Sequence, residues 1–162
     1  RQRQMCIRDR LRKRASLSSS SLSIVSELKS GSAWYVPGGC STIGRLFNDA
    51  CGRYAFAEDK HSGSIPLAFE TVFDKAGDAD VWTIKYNRDR DMTYSDLKAD
   101  YIGYTGFKAF KTRNIYGCNT AKVPFYEETP FRPDYLLSDL IQILHPEIGD
   151  LGGLRYFCKL NE

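Results

Sequence analysis

Apolar residues along this chain switch repeatedly between the spacing of strands and that of helices. LSIVSEL, residues 22–28, is a β-branched run bounded by Lys29, Ser30, Gly31 and Ser32, and reads as a short buried strand. From Ser41 the period becomes helical: Ile43, Leu46, Phe47 and Ala50 fall at i, i+3, i+4 and i+7, with Ser41 or Thr42 as N-cap and Gly52 as the stop. Pro66 reads as the first residue of a second helix that carries Phe69, Val72, Phe73 and Ala76 on one face and ends near Gly77. ADVWTIKYN, residues 79–87, has the composition of a strand covered on both faces. Thr93, with Asp96 three residues on, predicts the start of a third helix that buries Leu97 and Tyr101. NIYGCN, residues 114–119, is a further strand, and Pro133 opens a last helix with Leu137, Leu140, Ile141 and Leu144 on one face, ending before Pro146. LRYFCKL, residues 154–160, is an edge strand or a strap across the surface.

Helices alternating with short buried strands predict an α/β fold, a three-layer unit whose small, mainly parallel sheet is flanked by helices, because parallel neighbours need crossover connections. In such sheets ligands bind beyond the carboxyl ends of the strands, which selects residues 31–42, 85–92 and 119–128. The first of these holds WYVPGG. It reads as a strand-end loop that displays Trp34 and Tyr35, with Gly38 and Gly39 letting the backbone turn into the helix or approach a ligand closely. Trp82, inside an apolar run, belongs to the core.

Composition adds bounds. A chain of 162 residues with 42% hydrophobic content makes one cored domain. The net charge of +3 is uneven: residues 1–30 carry eight Lys/Arg against two Asp/Glu, leaving fifteen against eighteen on a mildly acidic body. The basic arm reads as a solvated tail, and no nucleic-acid partner is expected. RQRQMCIRDR resembles adapter read-through found at the ends of unrelated environmental sequences, and ASLSSSSLS has linker composition, so residues 1–21 read as a disordered extension foreign to the domain, with order beginning near Leu22. No apolar run approaches the roughly 20 residues of a membrane span. The five cysteines form no CxxC pair and read mostly as small buried hydrophobes.

Candidate chemistry is sparse. PGGCSTIG lacks the lysine of a P-loop and the spacing of GxGxxG, although a helix N-terminus follows it. His61 lies in a polar loop, and His145, just before Pro146, reads as a carbonyl cap. No metal site, resident cofactor or nucleophile elbow emerges, and the acidic pairs Glu127 with Glu128 and Glu58 with Asp59 read as solvated loop charges. Binding is expected rather than catalysis.

Four segments in order, WYVPGG with the helix to DACGRY, GSIPLAFETVFDKAGDADVWTIKYN, FKAFKTRNIYGCNT, and RPDYLLSDLIQILHPE running on to LRYFCKL, resemble the C-terminal lobe of ABC-transporter substrate-binding proteins for iron–siderophore complexes and vitamin B12. The resemblance covers residues 22–160 and is similar above all to forms from Bacteroidetes. It implies a non-enzyme, half of a two-lobed periplasmic protein that holds an iron complex or corrinoid in its interlobe cleft and delivers it to permease subunits. It also implies an N-terminal lobe, a linking helix and a lipoprotein signal that this chain does not carry, so residues 22–162 read as a fragment that is periplasmic and lipid-anchored in its full-length form. By the same resemblance Trp34 and Tyr35 contact the ligand face, with Gly38 and Gly39 in the same loop. Lys85, Tyr86 and Asn87 face the cleft, Lys85 pairing with an anionic ligand group, and Glu58, or else Asp59, docks on permease arginines. Two other readings stay open: a small α/β enzyme or nucleotide- or anion-binding domain using the helix N-terminus at Ser41, and an incomplete gene product without a function of its own.

Overall fold

The computed structural model describes residues 2–162. In chain order its elements are α1 (Gln2–Ser16), β1 (Ser23–Ser26), β2 (Lys29–Ser30), β3 (Ala33–Pro37), α2 (Thr42–Asp49), β4 (Arg53–Tyr54), β5 (Ser64–Leu67), α3 (Phe69–Ala76), β6 (Val81–Tyr86), α4 (Tyr94–Asp100), a 3₁₀ turn (Ile102–Gly106), α5 (Lys108–Lys111), β7 (Ile115–Asn119), α6 (Phe125–Glu128), α7 (Pro133–Leu144) and β8 (Cys158–Lys159). The main sheet runs β4-β1-β6-β7-β8. Its first four strands are parallel and β8 is an antiparallel edge. This is the mixed α/β architecture that the alternation of periods predicts.

Side chains of β6 alternate between two covered faces, so Val81, Trp82, Thr83 and Ile84 are all buried. On the Thr83 side lie Ile43 and Phe47 of α2 with Leu136 and Leu140 of α7. On the Trp82 side lies an aromatic cluster of Trp34, Phe107 and Tyr104, with ring centroids 5.0–5.8 Å apart. Both indoles also anchor backbone: Trp34 Nε1 donates to the Ser26 carbonyl at 3.0 Å and Trp82 Nε1 to that of Glu27 at 2.9 Å.

Several elements match their sequence signals. Thr93 and Asp96 form the reciprocal capping box at α4, Ser41 caps α2 by accepting from Gly44 N, and Pro133 opens α7. Others differ. WYVP is strand, not loop: β3 pairs antiparallel with β2 and β5 in a second, three-stranded sheet. Pro66 lies inside β5 opposite Tyr35, and α3 starts only at Phe69. Proline is tolerated there because β5 is an edge, where its missing N–H costs no ladder bond.

The opening residues also differ from expectation. Ile7, Leu11 and Ala15 share one stripe of α1, with Leu11 and Ala15 buried, and Arg8 and Arg12 both pair with Asp49 at the end of α2. Four-residue spacing of three apolar side chains supplies a packable face despite the basic composition. His145 is a buried cap: its Nε2 donates to the Ala50 carbonyl at the end of α2, at 2.6 Å. Of the cysteines only Cys118 is buried, while Cys6, Cys40 and Cys158 are exposed and Cys51 is intermediate, which corrects the reading of most of them as core residues.

Candidate ligand-binding site

At the carboxyl edge of the parallel strands β1 is followed directly by Glu27, whose φ of +74° places a non-glycine residue in the left-handed region. The conformation is held from three directions. Glu27 N donates to Thr83 O at 2.9 Å, its own carbonyl accepts from Trp82, and the carbonyl before it accepts from Trp34. The turn sends the carboxylate to Lys85 at the end of β6, with Oε1 3.0 Å from Nζ. The Lys85 ammonium also lies 5.1 Å from the centroid of the Phe125 ring and 5.9 Å from that of Tyr126. Phe125 is buried and Tyr126 is 62% exposed, so one ring backs the ion pair and the other projects beside it. The recess beneath, between Glu27, Thr83, Ile43 and Phe157, has a volume of only about 10 Å³. That is the scale of a single water. The recess is therefore too small to admit a bulky ligand.

The neighbouring loop, residues 87–92, is braced from β7. Asn119 donates to the carbonyl of Arg88 and the carboxylate of Asp91 and accepts from Arg88 N. Tyr86 OH accepts from Met92 N at 3.0 Å. Asn119 and Lys122 hold the Asp91 carboxyl below its usual range, and Arg90, with the Thr93 backbone, does so more strongly for Asp96. Carboxyls depressed in the folded state stabilise it above their unfolded value and lose that contribution as pH falls through the folded one. The thermal midpoint is thus expected to drop as pH is lowered below about 4, the ordinary aspartate value. Asp91→Asn combined with Asp96→Asn should flatten that drop, and a midpoint profile unchanged by the double variant would refute the assignment.

The structure scatters the residues selected from sequence. Trp34 is fully buried and presents no face to a ligand, because alternation along β3 turns it inward and Tyr35 outward. Tyr35 is 49% exposed but does not line the recess at Lys85. Gly38 and Gly39 are approached by the chain itself: a Cβ on Gly38 would stand 2.3 Å from the His61 carbonyl oxygen and one on Gly39 2.2 Å from that of Ala57. Their small size admits the segment after β4, not a ligand. Tyr86 is spent on the Met92 backbone, with burial pushing its hydroxyl pKa up. Asn87 is exposed at the edge and donates to Thr120 Oγ1 at 3.1 Å. Lys85 lies at the edge as expected, already partnered by Glu27.

Of the acidic pair, Asp59 accepts from His61 N and lies 2.8 Å from its Nδ1, which holds its carboxyl low, whereas Glu58 is exposed. Ser41 Oγ donates to the Gly38 carbonyl at 2.6 Å while capping α2, so the hydroxyl of the alternative anion site is engaged by the loop itself. Sequence reasoning missed Glu27, and within the selected residues 119–128 it did not single out Asn119 or Phe125. The available signal for Glu27 was a lone acid near the end of the β-branched run LSIVSEL.

Comparison with known proteins gives a consistent family. The family model described as periplasmic binding protein matches residues 8–121. An uncharacterized lipoprotein of Methanocaldococcus jannaschii is 31% identical over 128 residues, which are 78% of this chain and 30% of that protein. Among solved structures, the TroA-like periplasmic binding protein FepB from Veillonella parvula superposes with a TM-score of 0.70 at 13% identity, covering 98% of this chain and 54% of that one. A periplasmic heme binding protein from Pseudomonas aeruginosa gives 0.69 at 14% identity, covering 99% and 56%. The chain spans about half the length of these solved structures and under a third of the curated relative.

Proposed function

This chain belongs to the periplasmic binding protein family, a family of solute-binding proteins, and from that premise we propose that it supplies one lobe of the substrate-binding component of an ABC importer for an iron complex. Residues 22–162 form the C-terminal lobe in this reading, and the ligand rests on the carboxyl edge of the sheet. The observation that carries it is the half-buried pair of Glu27 and Lys85 beside the exposed ring of Tyr126, at the edge where α/β sheets bind ligands. Asn87 extends that surface. The heme-binding relative favours an iron complex over a corrinoid. The lipoprotein relative supports an extracytoplasmic, lipid-anchored location for the whole protein. Glu58, free of the contacts that hold Asp59, is the docking residue for permease arginines, an ion pair that acts mainly on orientation and association rate.

Calorimetric titration of the chain with hemin, a ferric hydroxamate and cobalamin tests the ligand. Saturable binding of an iron complex, weakened about fivefold or more by Tyr126→Ala through loss of ring contact, is the expected result. Preference for cobalamin would move the reading to corrinoids, and binding of none would overturn it. Sequencing the encoding DNA upstream of Leu22 tests the lobe assignment: a first α/β lobe behind a lipoprotein signal is expected, and a native start at the basic arm would exclude it.

A further inference from the structure

We infer that Glu27 is a selectivity residue, which neutralises Lys85 so that this edge accepts ligand groups without negative charge and disfavours carboxylates. The inference rests on the binding reading above and specifies the ligand chemistry at that site. A lysine at a strand end beside aromatic rings, considered alone, is a ready partner for an anionic ligand group. In the structure that position is taken. Glu27 Oε1 lies 3.0 Å from Lys85 Nζ, and the two side chains are 22% and 20% exposed. Phe125 and Tyr126 cover the ammonium from the side, which removes water that would otherwise screen the pair.

The backbone shows that the pairing is built in. A left-handed glutamate is a strained choice where asparagine or glycine fits at less cost. Two indole N–H groups and a β6 carbonyl fix that turn. A ligand carboxylate would have to displace Glu27 and leave its charge unpaired in a partly desolvated position, a penalty that acts against anionic groups specifically. A neutral or cationic ligand meets a satisfied pair and an aromatic ring.

Hemin and hemin dimethyl ester differ only in two carboxylates and serve as probes. The wild-type chain is expected to bind the ester at least as tightly as hemin, whereas Glu27→Gln should bind hemin about tenfold more tightly, one charge-assisted contact, and leave the ester unchanged. A wild-type preference for hemin, or a Glu27→Gln change that is equal for both probes or absent, overturns the inference while leaving the binding reading intact. Binding of neither probe by either variant overturns the inference, and the binding reading falls with it only where the ferric hydroxamate is not bound either. Amine acylation followed by mass spectrometry examines the pair without any ligand. Glu27→Gln should speed labelling of Lys85 severalfold relative to Lys60, which is exposed, and an unchanged ratio shows that the pair does not hold Lys85 in solution.

Discussion

Trp34→Ala is expected to destabilise the domain by about 3–5 kcal/mol, the cost of truncating a large buried aromatic side chain. The indole has no exposed surface and its ring lies within 6.2 Å, centroid to centroid, of Phe69, Trp82, Tyr104 and Phe107. Alanine removes those contacts and also orphans the Ser26 carbonyl. Trp34→Phe separates the two effects: it keeps much of the packing and loses the hydrogen bond, at about 1–3 kcal/mol. Tyr35→Ala, on the outward side of the same strand, should stay within about 0.5 kcal/mol of wild type. Urea unfolding of the three variants checks the order. Equal, small losses for Trp34→Ala and Tyr35→Ala would mean that Trp34 is not in the core.

Asp139→Ala is the second large effect, expected at about 3 kcal/mol, because it leaves buried backbone donors without an acceptor. The Asp139 carboxylate, 1% exposed on α7, accepts from the backbone N–H groups of Arg155 and Tyr156 at 2.8 Å and of Phe157 at 3.2 Å. This single side chain fastens the closing strap and, through it, the edge strand β8. Amide exchange should therefore rise first at residues 155–160 in the variant, ahead of β6 and β7. Uniform exchange across the domain would show that the strap has no local role. Burial pushes the Asp139 carboxyl up against the pull of its three donors. A raised folded value contributes stability that is present below the unfolded pKa and lost as pH rises through the folded one, so Asp139 opposes the acid loss caused by Asp91 and Asp96.

The helices were largely legible because their information is local. Thr93 and Asp96 are three residues apart in sequence and therefore meet in space; Ile43, Leu46, Phe47 and Ala50 share a face through helical geometry alone. The same holds for Pro133 and the stripe from Leu137 to Leu144. The site was less legible. The glycines of WYVPGG predict a displayed loop, but whether Trp34 faces in or out depends on β5, which arrives some thirty residues later to pair with β3. The glycine pair likewise takes its meaning from residues 57–63, whose carbonyls press against it. For Lys85 the sequence located the strand end correctly but not its partner, since Glu27 follows a different strand, 58 residues earlier, and reaches Lys85 through a left-handed turn fixed by Trp34 and Trp82.

By itself, then, the sequence determined the alternation of strands and helices in the main sheet, the starts of α2, α4 and α7, the carboxyl-edge segments after β6 and β7 and the family resemblance, all of which rest on short-range periodicity or on the order of segments. The tertiary structure decided which aromatic residues are core, which backbone passes over Gly38 and Gly39, and which charge meets Lys85. Those depend on strand register and on contacts between residues far apart in the chain, and no local spacing encodes which two such residues will share a dielectric, a hydrogen bond or a surface.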